Sequence, residues 1–298
     1  MTATLQEKLE LAPLLDPRLL LEYGDNEQLQ IIGILSQHPD QNTEPAPVSL
    51  PHAKAFFWKD LLWDSYKREF ATAAELKRRL KAAGIDTGAH LVFYGDPVQF
   101  GFYARWAFLQ AGWRNTSVVD GGLRAWRNFG LPLSPLPQIA PVTSVGGPAS
   151  MSRRTSLHTL QQRAIRIGRN EILGRLSDNK LRIIDARTQE EYDGHRVSPA
   201  GGANHGAERG GHIPGAVLFP FTDLLDQDGR IRPVKELQVL ARNAGLDANQ
   251  ETVVYCRLSH RSTMLFFVLT EVLGFSQVRV YDGSWTEWGS LVDAPIER

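Results

Sequence analysis

One stretch of this chain is written twice. Residues 91–126 and 253–288 align without a gap at a constant offset. The first copy runs Leu91-Val-Phe-Tyr94, an apolar stretch at 102–111, Gly112, then Val118-Val-Asp120-Gly121-Gly122 and Trp126. The second runs Val253-Val-Tyr-Cys256, an apolar stretch at 264–273, Gly274, then Val280-Tyr-Asp282-Gly283-Ser284 and Trp288. Each reads as a short buried strand, a tight loop, a helix stopped by glycine, a second strand and an Asp-Gly turn. Strands that alternate with helices call for a parallel sheet with helices on both faces. The expected fold is therefore α/β, with two such sheets in tandem from an old duplication.

The rest of the chain divides around these copies. Residues 131–152 are rich in Pro, Ser, Gly and Val and include Pro132, Pro135, Pro137, Pro141 and Pro148, the composition of an extended linker. A helical segment is expected at 157–176, followed by the strand Leu181-Arg-Ile-Ile-Asp185. The expected organisation is a first domain at 1–135, a linker at 136–155 and a second domain at 156–298. Residues 27–51 carry a segment of Pro, Asn and Gln at 37–47 and read as an irregular loop.

With 298 residues the chain can bury two cores. Its 33 basic side chains equal its 33 acidic ones, so no whole-chain field draws it to nucleic acid or an anionic membrane. Anion recognition has to be local. No basic segment leads into an apolar run at the N-terminus, and the longest apolar run, 264–269, is too short to span a bilayer. The expectation is a cytoplasmic protein without a membrane or nucleic-acid partner.

The chain has one cysteine, which excludes an internal disulfide and a multi-cysteine metal site. Composition alone would make Cys256 a small buried hydrophobe. Its neighbours argue otherwise. It ends the buried strand Val253-Val-Tyr and opens the loop Arg257-Leu258-Ser259-His260-Arg261-Ser262, which runs directly into an apolar helix. That edge of a parallel sheet is where α/β proteins bind ligands. Loop N–H groups and the positive helix end can face the sulfur there, and Arg257, Arg261 and His260 add charge favouring the nucleophilic thiolate. Two arginines in the loop that follows the cysteine make an anion cradle.

Two further segments border the same sheet edge. Ile183-Ile-Asp185-Ala-Arg187 ends a strand in Asp-x-Arg, which brings Arg187 close to Cys256. Gly210-Gly211-His212-Ile-Pro214-Gly215 reads as a tight turn in which His212 is a structural hydrogen-bonding residue. The spacing of His195, His205, His212 and His260 is irregular for a metal site, and no metal or cofactor is expected.

Taken together, Asp185-Ala-Arg187, Glu191-Tyr192, Gly211-His-Ile-Pro-Gly-Ala216, the Cys256 loop and Tyr281-Asp-Gly-Ser-Trp-Thr-Glu-Trp288 resemble the second, catalytic domain of tandem-domain rhodaneses. The resemblance covers most of 180–298. The first half is similar to the inactive rhodanese domain through Val118-Val-Asp-Gly-Gly-Leu-Arg-Ala-Trp126, and Tyr94 aligns with Cys256 there. Two features depart from the family pattern. Residues 193–210 form a longer glycine-rich loop, and the active loop matches neither the Arg-Lys type of thiosulfate-specific members nor the Gly-Ser-Gly type of mercaptopyruvate-specific ones.

The resemblance implies a sulfurtransferase that carries sulfur as a persulfide on Cys256. Its donor would be a small anion, thiosulfate first and 3-mercaptopyruvate as the alternative, and its acceptor cyanide or a thiol. Arg187, Arg257 and Arg261 would bind the donor, and the loop Leu258, Ser259, His260 and Ser262 would stabilise the persulfide anion. Three rivals stay in view: 3-mercaptopyruvate as the true donor, a persulfide carrier or interaction module without turnover, and phosphatase chemistry. The last is disfavoured because only four residues separate Cys256 from Arg261, one fewer than a Cys-Arg phosphatase loop. Trp285 and Trp288 are expected at a domain interface or a pocket wall.

Overall fold

Alternation along the strands decides how each half of the chain is layered. The computed structural model describes residues 12–38, 47–64, 66–136 and 165–298. It contains two compact units, Met1–Gln161 with Asp228–Arg230, and Gln162–Gln227 with Ile231–Arg298. The first has a five-stranded parallel sheet of β1 (Leu14–Leu15), β2 (Leu29–Leu35), β3 (Lys54–Phe57), β4 (His90–Asp96) and β5 (Thr116–Val119), in the order β1-β5-β4-β2-β3. The second has β6 (Arg166–Ile167), β7 (Leu181–Asp185), β8 (Val217–Leu218), β9 (Glu251–Tyr255) and β10 (Val278–Tyr281), in the order β6-β10-β9-β7-β8. The two topologies are the same.

In the first unit, Ile32, Ile34, Leu91 and Phe93 enter one core cluster, whereas Leu29, Ile31, Val92 and Tyr94 enter another. Successive side chains of a strand point to opposite faces, so a central strand apolar at every position needs helices on both. One layer contains α1 (Trp58–Leu62), α2 (Ala73–Ala82) and α3 (Gln99–Gln110), and the other includes α4 (Gly122–Asn128). In the second unit, α5 (His260–Phe267) packs on β9 and β10, over the fully buried Val254 and Val280.

Several expectations change. The strand β2 lies inside 27–51, read from sequence as a loop; the polar run after it masked the apolar Leu29–Leu35. The described part of the helix expected at 157–176 holds instead a two-residue strand, β6, and a five-residue helix, Arg169–Leu173, because sheet pairing with β10 takes Arg166 and Ile167. Residues 157–164, and all but Leu136 of the linker at 136–155, lie outside the described residues.

The ungapped repeat also needs a correction. Phe93 pairs with Val118 in the first sheet, and Val254 pairs with Val280 in the second. Since Val118 and Val280 are equivalent, Tyr94 matches Tyr255, and the counterpart of Cys256 is Gly95. Tyr94 and Tyr255 are both fully buried in their cores. The extra residue of the second copy sits in a π-helical turn, Val268–Val272, which continues α5 and restores the register by Gly274. At Gly95 a Cβ would lie 2.5 Å from the Gly101 nitrogen and 2.6 Å from the Pro97 oxygen. The first unit's own backbone fills the place where the second unit carries its thiol.

Candidate active site

Cys256 follows the last residue of β9 and is 1 % exposed. The backbone then turns through Arg257, Leu258 and Ser259 into α5, with Ser259 in the left-handed region at φ 68°. Side chains brace this turn. Ser259 Oγ donates to the Asp282 carbonyl at 2.7 Å, and Ser262 Oγ donates to the Ser259 carbonyl at 3.1 Å. The Cys256 carbonyl accepts from the Trp285 N–H at 2.9 Å, and its own N–H donates to Ser284 Oγ at 3.2 Å. Among the described residues, the N–H groups of Arg257, Leu258, Ser259, Arg261 and Ser262 have no protein acceptor. Backbone donors left open at a helix start form an anion-binding concavity.

The three arginines expected to bind the donor have different fates. Arg187 is fully buried. Its Nη2 donates to Asp185 and to the Gly211 carbonyl, both at 2.6 Å, and its guanidinium lies 4.4 Å from the Trp285 ring centroid. Burial penalises its charge, but Asp185 more than reverses this and holds the guanidinium above its ordinary pKa. Arg261, 6 % exposed, forms a two-bond pair with the fully buried Glu191 at 2.6 and 2.8 Å. Each of these two arginines is thus already paired with a carboxylate, a pairing that braces the site whatever else the guanidinium meets.

Arg257 differs from both. Among the described residues it forms no ion pair with a carboxylate. Nη2 donates to the His205 carbonyl at 2.8 Å, and Nε is buried without a partner. Burial, then the neighbouring Arg261, push its pKa below the ordinary value, against the charges of Glu191 and then Cys256, which act in the opposite sense. An anion bound here relieves a cation that the protein leaves uncompensated.

Of the remaining loop residues, Ser259 and Ser262 spend their hydroxyl protons on backbone carbonyls, so what they offer a ligand is their N–H groups. Leu258 and His260 are partly exposed at the loop's tip and helix start. His212 packs its ring flat on Tyr192 at 3.6 Å, with Nδ1 2.9 Å from the Tyr192 carbonyl, a structural role as expected. Trp285 and Trp288 are core residues of this unit, with ring N–H groups that donate to the Arg209 and Pro295 carbonyls.

Sequence reasoning passed over two supports. Glu191 closes a capping box with Thr188, a pattern legible as Thr-x-x-Glu before the helix Gln189–Tyr192. Ser284 occupies the position of Gly122 in the first unit, and both have positive φ, 52° and 56°. A serine in a slot that asks for glycine signals a use for the hydroxyl.

The sequence profile described as "Rhodanese-like domain" matches residues 169–291. "Putative thiosulfate sulfurtransferase 1" of Mycobacterium bovis is 39% identical over 241 residues, covering 80% of this chain and 82% of that protein. "Sulfur carrier protein TtuD" of Thermus thermophilus is 32% identical over 253 residues, covering 84% and 85%. Among solved structures, SseA from Escherichia coli, described as a 3-mercaptopyruvate sulfotransferase, superposes with a TM-score of 0.68 at 21% identity, over 92% of this chain and 99% of its own; this likeness shows the fold. The chain belongs to the rhodanese family of sulfurtransferases.

Proposed function

We propose that this protein is a thiosulfate sulfurtransferase that works through a persulfide on Cys256. The observation that carries the reading is the state of Arg257: it follows the only cysteine in the chain and, among the described residues, has no carboxylate of the kind that pairs with Arg187 and Arg261. The Cys256 thiolate attacks the outer sulfur of thiosulfate. The donor's S–S bond breaks, its electron pair leaves with sulfite, and a new S–S bond forms on Cys256. Arg257 holds the anionic end of the donor, and the open N–H groups of 257–262 other than that of His260 face the charge that remains on the persulfide. Cyanide or a thiolate then takes the outer sulfur and restores the Cys256 thiolate. In this reading the first domain is structural, the second catalytic, and the protein works in the cytoplasm.

The pairing of Arg261 with Glu191 also weighs against phosphatase chemistry, because the arginine that would clasp a phosphoryl group is already engaged. A second reading, a sulfur carrier that passes its persulfide to a protein thiol, draws on the relative named as a sulfur carrier. Intact-mass measurement after exposure to thiosulfate tests both. The wild type should gain one sulfur atom and lose it to cyanide, and Cys256→Ala should gain none. Loading without sustained turnover on cyanide would favour the carrier. A sulfur adduct on Cys256→Ala would sink the mechanism.

A further inference from the structure

The glycine-rich segment 193–210 meets Arg257 at two points. The His205 carbonyl accepts from Nη2 at 2.8 Å. Gly206 then presents its bare Cα to the guanidinium: a Cβ there would lie 2.5 Å from Nη2, 2.9 Å from Nε and 3.0 Å from Cζ. At φ 112°, Gly206 adopts a conformation L side chains rarely take, so the backbone asks for glycine, and a Cβ there would push the Arg257 guanidinium aside. The segment is tied down on either side of this contact. Asn204 Oδ1 accepts from the Val197 N–H at 2.8 Å, and the Arg209 side chain donates to the carbonyls of Leu291 at 2.6 Å and Ala294 at 2.9 Å. A loop of this length over a sheet edge would otherwise be free to move.

We infer that His205 and Gly206 are positioning residues that set donor specificity by pinning the Arg257 guanidinium beside Cys256. This rests on the proposed thiosulfate reaction and deepens it. A guanidinium recognises an anion through a planar fork, so its orientation decides which anions fit. With Nη2 spent on His205 and Nε covered beside Gly206, the guanidinium is held in one orientation. Thiosulfate carries its charged oxygens on the atom next to the transferred sulfur, so a pinned cation beside the thiol suits it. 3-Mercaptopyruvate carries its carboxylate at the far end of its carbon skeleton and gains less from a cation held so close.

The test uses the full chain and four variants: Gly206→Ala, Asn204→Ala, Arg257→Ala and the double variant Gly206→Ala/Arg257→Ala. Gly206→Ala should raise KM for thiosulfate about tenfold, the loss of one charge-assisted hydrogen bond, with kcat within about threefold of wild type. Affinity for 3-mercaptopyruvate, read as donor or as competitor, should change less. In the Arg257→Ala background the Gly206→Ala effect should vanish, since the glycine acts through that guanidinium. Asn204→Ala, which adds no atoms, should shift KM in the same direction by a smaller factor and decides the matter if Gly206→Ala does not fold. Effects that multiply in the double variant, or equal losses for both donors, would overturn the inference alone. No sulfur loading from thiosulfate, or an unchanged KM in Arg257→Ala, would overturn the underlying reading as well.

Discussion

Ser284 Oγ accepts the backbone N–H of Cys256 at 3.2 Å while its own backbone is held at φ 52°. The left-handed region costs a non-glycine residue about 1–2 kcal/mol. The return is an acceptor for a buried N–H directly beneath the nucleophile; the same hydroxyl donates to the Tyr281 carbonyl at 2.9 Å. Removing only the hydroxyl keeps the strain and orphans the donor. Ser284→Ala should therefore lose about 1–3 kcal/mol of unfolding free energy. Ser284→Gly should lose about 1 kcal/mol less, because glycine relieves the strain. Urea denaturation of the two variants ranks them, and the reverse order would refute the account.

The Glu191–Arg261 pair should make the second domain sensitive to acid. Burial pushes the Glu191 carboxyl upward, but the hydrogen bonds and charge of Arg261, with help from Thr188 and Arg187, bring it below its ordinary 4.5. A carboxyl depressed in the folded state contributes fully above its unfolded value and loses that contribution as pH falls through the folded one. Stability should therefore decline below about pH 4.5. Glu191→Gln should flatten that part of the profile and cost about 3–5 kcal/mol at neutral pH, because Arg261 is left as a buried unpaired charge. Thermal melts across pH 3–7 for both proteins measure it.

Arg187 and Arg257 should separate stability from donor binding. Arg187→Ala strips the fully buried Asp185 of its partner and should destabilise by about 3–5 kcal/mol. Arg257→Ala removes a half-buried cation that has no carboxylate partner among the described residues, so unfolding free energy should shift by less than about 1 kcal/mol. Its KM for thiosulfate should rise about ten- to a hundredfold. Denaturation and initial rates on both variants make the comparison, and a stable Arg187→Ala with weak donor binding would reverse the assignment.

The first domain should resist conversion into a second active site. Gly95→Cys in a Cys256→Ala background puts a thiol at the equivalent position, yet its Cβ would lie 2.5 Å from the Gly101 nitrogen. Overpacking of this kind costs about 1–3 kcal/mol. The variant should be less stable and take up no sulfur from thiosulfate, which intact mass reads directly.

Much of this was legible without coordinates. The duplication, the parallel α/β class and the place of Cys256 between strand and helix follow from apolar periodicity and a few glycines, which act over short stretches of chain. The structural role of His212 was equally visible in its Pro-Gly turn. Other features were hidden. The polar run at 37–47 drew β2 into an apparent loop, and β6 was read as helix because its strand state comes only from pairing with β10. The counterpart of Cys256 shifts by one residue because a π turn that begins twelve positions further on absorbs the extra residue.

The sequence by itself determined which atom is the nucleophile and which segments surround it, since one cysteine leaves no choice and local pattern builds the loop. It could not tell the three arginines apart: each is the same cation near the same thiol. Only the tertiary structure distributed their partners, giving Asp185 to Arg187, Glu191 to Arg261, and to Arg257 a single carbonyl from a loop some fifty residues away in sequence. Charge compensation depends on distances between segments remote along the chain, and those distances exist only once the sheet has ordered its strands.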